Sequence, residues 1–447
     1  MDHDQRKEFL QLAHETIAAS GAEETEVLVT AQDGFLTRFA NNEIHQNVGS
    51  RDATVSIRVT TGKRIGVAQV ESLEPEALRS ALADAQEIAS ARAPLEDFKR
   101  LPGPRAARPV AAFDRDTAAC TADRRADIVA ELVAEAKRRN ASAAGVVENK
   151  CAEILVANSR GVRAYHRGTS AKFQAVVTCG DGSGFAEDQS YAIGEVNIKG
   201  VIRDSVGKAV RSRKPRPIEA GEIDVVLEPS AVGPLLQFLA YLGFGAKSFQ
   251  EGRSFMSGKI GEAITGAKVF IEDNARHPRQ RGMPFDFEGV PRKRVRLIHA
   301  GKAAAVVYDS YLAGREKGRR QSTGHALPAR YAAFGALPMN LIMAGGEDSL
   351  KGLIEGTKRG LLVTRFHYVN AVERMKTVLT GMTRDGTFLV ENGAVKHPVR
   401  NLRFTESVLG AFERIEGLTR SRSLVDEDIL CPALKIRGFR FTGTTEF

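Results

Sequence analysis

From Glu222 to Ala240 the chain reads Glu-Ile-Asp-Val-Val-Leu-Glu-Pro-Ser-Ala-Val-Gly-Pro-Leu-Leu-Gln-Phe-Leu-Ala. Residues 223–227 form a short apolar run suited to a buried strand. Residues 235–241 are apolar enough for a buried helix turn, and Pro-Ser lies between the two runs. The fold must therefore bury a strand and a helix that meet at proline. Free N–H groups gather at such a helix start, which makes it a natural place for chemistry. Here the junction is furnished with proline and serine, and no acid, base or metal ligand stands in it.

At 447 residues the chain is long for one core, so two or three domains are expected. With 43% hydrophobic and 27% charged residues, it is ordinary globular material. No apolar run approaches the ~20 residues that span a bilayer. The opening Met-Asp-His-Asp-Gln-Arg-Lys-Glu has neither a signal-peptide core nor transit-peptide character. Cys120, Cys151, Cys179 and Cys431 are far apart and form no CxxC pair, which points to reduced thiols in a cytoplasmic protein. Net charge is +9, with basic clusters at 211–216, 276–281, 292–296 and 315–320. Such clusters could neutralise phosphates. No nucleic-acid motif or tryptophan accompanies them, so solvated loops or a face for an acidic partner are expected, and neither nucleic acid nor membrane.

Periodicity predicts a helix over 4–20, then strands at 26–30, 35–39, 43–48, 54–60 and 64–70. The fourth alternates Val55, Ile57 and Val59 against Thr54, Ser56 and Arg58, and Thr61-Gly62 reads as a hairpin turn. A helix striped with Leu78, Leu82, Ala85 and Ala89 follows. Residues 93–117, with four prolines, read as a connector. Thr121 or Asp123 then caps a helix, followed by strands at 152–157, 162–167 and 171–179 and a helix through Val201 and Val206. Beyond the Arg- and Pro-rich 211–217 run, short strands and turns dominate. Arg384-Asp-Gly386 and Glu391-Asn-Gly393 are expected hairpins. A helix is expected from Asp348-Ser349 to Gly360. The fold class is α+β. An N-terminal α+β domain (1–110) and a central one (111–217), with antiparallel sheets and packed helices, precede a β-rich, barrel- or sandwich-like domain (218–447).

No two of the nine histidines lie within five residues of each other, so no HExxH pair exists. There is no GxSxG elbow and no Walker loop. Ser322-Thr323-Gly324-His325 could supply hydroxyls and an imidazole, against the plainer reading of a polar turn. Cys431 precedes Pro432 with no histidine nearby, which argues against a thiol nucleophile.

Several segments, in order, give the chain a family likeness. They are Arg38-Phe-Ala-Asn-Asn-Glu-Ile-His-Gln46, Asn158-Ser-Arg-Gly161, the 225–233 stretch, Asp286-Phe-Glu-Gly-Val290, Ser322-Thr-Gly324 and Gly386-Thr-Phe-Leu-Val-Glu-Asn-Gly393. Together they resemble the TldD/PmbA family of metallopeptidases over nearly the whole length. That resemblance implies a cytoplasmic, dimeric peptidase acting on unfolded peptides. Its zinc is held by HExxxH and a cysteine near the C-terminus, and of two paired subunits only one keeps the motif.

Laid on this chain, the motif's first histidine falls on Pro229, its glutamate on Ser230 and its second histidine on Pro234. Cys431 is expected to lie beyond the cysteine position. Proline offers zinc no donor, and serine cannot replace the glutamate as general base without a partner. Pro234 is expected at the first helical position with Gly233 as cap, shortening the helix from its front. No metal site or catalytic residue is then expected in this chain. It would be a silent subunit beside a zinc-bearing HExxxH homologue, or paired with itself, with Ser230, Ser322, Thr323 and His325 as candidates lining a peptide groove. One alternative keeps hydrolysis through Ser230, Ser322 or His325. Another is a non-enzymatic binding or regulatory protein using the basic loops.

Overall fold

Period-two patterning in the first 190 residues builds one sheet. The computed structural model describes residues 4–316 and 320–444. Its first six strands are β1 (Glu24–Ala40), β2 (Glu43–Thr61), β3 (Arg64–Val70), β4 (Ser142–Asn158), β5 (Arg163–Cys179) and β6 (Gly182–Ser190). They lie antiparallel in the order β3-β2-β1-β4-β5-β6. The segments 26–30 and 35–39 are one strand, as are 43–48 and 54–60. Asp33 faces Arg51 and Gly34 faces Ser50 across the ladder, so the polar stretches find backbone partners instead of turning. Asn41 and Asn42, both at positive φ, make the tight β1–β2 turn. The next turn falls on Gly62 and Lys63, one residue later than expected. Segments 1–110 and 111–217 each give three strands, and β1 pairs with β4 continuously from Glu26↔Asn158 to Phe39↔Gly145.

Four helices supply the apolar cover of this sheet. α1 (Asp4–Ala18) and α2 (Pro75–Ala91) bury Phe9, Leu82 and Ala85 against Val27, Val55, Ile57 and Val59. After the one-turn α3 (Arg115–Ala118), α4 (Ala122–Arg138) and α5 (Ile198–Arg211) pack Ile128, Leu132, Val201 and Val206 against Phe173, Ala175 and Val177. Thr121 caps α4 by accepting the Arg124 N–H. The opposite parity of β1 and β4 presents Leu28 and Val156, which pack with Phe285 of the C-terminal half.

The C-terminal half comprises β7 (Glu222–Leu227), α6 (Pro229–Gly243), α7 (Ala246–Gln250), β8 (Ile271–Asp273), β9 (Val295–His299), β10 (Lys302–Ala303) and α8 (Ser310–Arg315). It continues with β11 (Leu341–Met343), α9 (Leu350–Glu355), β12 (Arg359–Glu373), β13 (Val378–Glu391), β14 (Ala394–Pro398), β15 (Leu402–Ser407), α10 (Val408–Glu413), β16 (Ile415–Val425) and β17 (Ile429–Thr444). β7 pairs with both β12 and β17, so β7-β12-β13-β15-β17 closes into a ring from which the smaller strands extend. Phe366, Phe404 and Phe439 cluster in its core, with centroids 4.5–5.8 Å apart.

Two turn expectations diverge here. Asn392 and Gly393, at positive φ, do turn β13 into β14. Asp385-Gly386 does not make a hairpin: it is a bulge inside β13, opposite the register shift between Val363 and Arg365. Asp385 is buried and accepts from Arg365 Nε at 2.6 Å, so its charge is satisfied within the sheet. α9 stops at Glu355, short of Gly360, because β12 has begun by Arg359. Of the expected basic clusters, 317–319 lie outside the described residues. Arg292 is buried on Asp273 instead of being solvated. No helix among the described residues is long and apolar enough to cross a membrane.

Candidate functional site

β7 buries Val225, Val226 and Leu227 completely between β12 and β17, and so delivers the chain to α6 at a fixed point. Glu228 is the N-cap and Pro229 the first helical residue. The placement of Pro234 at the helix start is thereby corrected, because Pro229 already has the φ that a first turn needs. Pro234 lies inside the helix, where its missing N–H leaves the Ser230 carbonyl without its usual donor four residues on. Gly233 packs instead of capping: a Cβ there would come within 2.6 Å of Val425 Cγ1.

Around this first turn the two halves of the molecule meet. Ser230 Oγ donates to Glu187 Oε1 at 3.1 Å, and Lys172 Nζ lies 3.2 Å from Glu187 Oε2. Lys208 Nζ holds Glu228 at 2.5 Å. Burial raises the Glu187 carboxyl, while Lys172 and Ser230 pull it back. Gln189, nearly buried two residues along β6, has both side-chain polar atoms without a hydrogen-bond partner among the described residues. Sequence reasoning missed Lys172, Glu187 and Gln189. The only signal was the alternation of β5 and β6, which places Lys172 directly across from Gln189.

Cys431, expected to lie beyond the family's cysteine position, comes to this turn in the structure. Pairing of β17 beside β7 brings it to the helix start, where Sγ lies 3.5 Å from the Pro229 carbonyl oxygen. It is fully buried, and burial followed by the charges of Glu187 and Asp426 pushes the thiol far above its ordinary range. A thiol so placed stays protonated and is a poor metal donor.

The zinc that the resemblance implies can be tested against these donors. Zinc takes thiolate, imidazole or carboxylate ligands at about 2.0–2.3 Å. Pro229 and Pro234 supply none, the Ser230 hydroxyl is held by Glu187, Glu187 is paired with Lys172, and Cys431 is neutral. Among the described residues no group of three or more His, Cys, Asp or Glu is arranged to hold a metal ion. The residues at α6 do not fit zinc.

Ser322, Thr323 and His325 come together, Ser322 and His325 buried and Thr323 partly so, while Ser230 bonds elsewhere, to Glu187. Ser322 Oγ donates to the Tyr308 carbonyl at 3.1 Å and accepts the Gly324 N–H at 3.0 Å. Thr323 Oγ1 accepts the Tyr308 N–H at 2.7 Å and lies 3.0 Å from His325 Nδ1. His325 is wholly buried, with Nε2 2.9 Å from Asp273 Oδ1. Asp273 also binds Arg292 at 2.7 Å and accepts the Met339 and Asn340 N–H groups, each at 2.7 Å. Burial opposes its charge, but Arg292 and His325 hold its carboxyl at about 2. Burial holds His325 below its ordinary value. Neither the Ser322 hydroxyl nor this imidazole faces a surface from which a substrate could be attacked.

Comparison with known proteins follows the same outline. A family model described as PmbA/TldA metallopeptidase C-terminal domain matches residues 220–443, and one described as PmbA/TldA metallopeptidase domain 1 matches residues 25–89. A metalloprotease TldD homolog from Haemophilus influenzae is 24% identical over 60% of this chain and 58% of its own length. A metalloprotease PmbA homolog from the same organism is 25% identical over 97% of this chain and 96% of its own. The chain thus spans little more than half of the TldD homolog and nearly all of the PmbA homolog. Among solved structures, TldE from Thermococcus kodakarensis shares the fold with a TM-score of 0.87, at 21% identity over 98% of this chain and 100% of that one.

Proposed function

The chain belongs to the TldD/PmbA metallopeptidase family, and from that premise we propose that it is the non-catalytic subunit of a heterodimeric peptidase acting on unfolded peptides in the cytoplasm. Zinc is carried by an HExxxH-bearing homologue, and this chain shapes the channel and supports that partner. The observation behind this reading is the first turn of α6. Where the resemblance places two histidines and a glutamate, the chain has Pro229, Ser230 and Pro234, beside a buried, protonated Cys431. An extended peptide is held by strand addition, which tolerates varied sequences. The outer edge of β2 supports this role: β3 pairs only with residues 55–61, leaving 43–54 without an outer neighbour among the described residues.

The test is co-expression with an HExxxH homologue from the same cell. The two chains should co-purify, and peptide cleavage should depend on both. Failure to associate, with cleavage the same whether or not this chain is present, would end the reading. Chelator-resistant hydrolysis by the lone chain, lost on Ser230→Ala, would end it as well.

A further inference from the structure

Two of the segments that carry the family likeness, 286–290 and 322–324, take no part in the α6 site. Glu288 of the first and Ala326, two residues past the second, line a cavity of about 350 Å³ with β3, residues 92–102 and the start of α8. Asp286 ties the floor together. Its Oδ1 accepts the Glu288 and Val290 N–H groups at 3.0 and 2.9 Å, and its Oδ2 accepts the Ala326 N–H at 2.9 Å. This fixes Glu288, whose Oε1 lies 3.1 Å from Arg58 and whose Oε2 accepts the Ser310 N–H at 3.1 Å. Arg58 also binds Glu26 at 2.8 Å, so two carboxylates share one guanidinium. Asp309, which also lines the cavity, has no ion pair of its own among the described residues.

The floor is therefore short of positive charge. A buried carboxylate without a full partner is costly, and a cation that enters recovers that cost. Burial raises Glu26 to about 6 against the pull of Arg58, and burial with the Glu288 charge raises Asp309 to about 7. The mouth has the opposite sign: Arg92 and Lys99 are exposed and make no ion pair among the described residues. The lining also carries Val67, Leu101 and Leu327, and its other charges are already engaged: Asp97 with Arg315, Arg100 with Glu24, and Lys247 on the Ala333 carbonyl. Arg58 Nε is buried without a hydrogen-bond partner, a donor left for a carbonyl. Buried carboxylates, apolar side chains and unpaired exposed cations lining one cavity complement a molecule with an ammonium at one end and a carboxylate at the other. The volume falls near the lower end of the roughly 300–1,000 Å³ usual for ligand pockets.

We propose that this cavity binds short peptides with both termini free, the amino group against Glu288 and Asp309 and the carboxylate at Arg92 and Lys99. Charge-assisted hydrogen bonds at both ends set the orientation, and the apolar walls accept varied side chains. The proposal stands independently of the subunit reading, because it needs neither a partner chain nor a metal.

The experiment is calorimetric titration of the full chain with trileucine, its N-acetyl form and its C-terminal amide. Trileucine should bind, N-acetylation should weaken binding at least about tenfold, and amidation should weaken it about threefold or more. Asp309→Asn, which can still cap α8, should reproduce the effect of N-acetylation. The surface pair Arg92→Ala and Lys99→Ala should erase the difference between acid and amide, and it leaves the core untouched should Asp309→Asn fail to fold. No binding at millimolar trileucine, or equal binding of the free and N-acetylated peptides, overturns the proposal. So does an acid–amide difference that survives the Arg92 and Lys99 changes.

Discussion

Gly233→Ala is a sensitive probe of how α6 is seated. Alanine in a helix interior is favoured over glycine by about 1 kcal/mol, so on an open surface this change would stabilise. The structure reverses the sign. The new Cβ would sit 2.6 Å from Val425 Cγ1 and 3.1 Å from its Cβ, inside ordinary contact distance. Val425 is 2% exposed and its strand is paired with β17, so it has little room to retreat. Overpacking of this kind costs about 1–3 kcal/mol, which leaves a net loss of about 1 kcal/mol. In a Val425→Ala background the Cγ methyls are gone and only the 3.1 Å contact to Cβ remains, so the same change should gain up to about 1 kcal/mol. The coupling is then up to about 2 kcal/mol, within the range for residues in contact. Urea unfolding with an unchanged slope measures it through the midpoint. A rise in midpoint for Gly233→Ala in the native background, or no change of sign in the second, would refute the reasoning.

Further outcomes follow from the buried charges and the α6 donors. Asp309 sits at about 7 in the folded chain against an ordinary 3.8, so its contribution to stability is complete below the ordinary value and is lost as pH rises through 7. Asp309→Asn, with Glu288 and Arg58 still facing it, should flatten the fall in melting temperature between about pH 4 and about pH 7. Parallel curves for the two proteins would contradict this. Arg292→Met strands the buried Asp273 charge and should cost about 3–5 kcal/mol in urea unfolding, and a native-like midpoint would show that Asp273 is not held as described. Metal analysis of the purified lone chain should find far less than one zinc per chain, rising to about one per complex only with the HExxxH homologue. Stoichiometric zinc in the lone chain would overturn the fit test at α6.

Local physics made much of the fold legible. Val55, Ile57 and Val59 alternate because one face of β2 is buried, and that alternation can be seen in the residues themselves. Thr121 and Asn392-Gly393 do locally what their chemistry dictates. Reading failed where a distant partner decides the outcome. Asp385-Gly386 has the composition of a turn, yet Arg365 on a neighbouring strand holds it as a bulge. Pro234 reads as a helix start until Pro229 is seen to occupy that place. Cys431 reaches Pro229 only because β17 returns beside β7, a pairing across about two hundred residues that no window could reveal. Ser322, Thr323 and His325 look like chemistry as a string, but Tyr308 holds the two hydroxyls and Asp273 faces the imidazole, both from other segments.

Closure of the C-terminal ring also bears on how the molecule is made. β17 follows β7 by about two hundred residues of chain, so one flank of β7 stays uncovered until β17 has been made. A half-built ring offers exposed backbone and apolar side chains to any other nascent chain. Synthesis stalled or truncated before residue 429 should therefore yield aggregating fragments in place of a shorter folded protein.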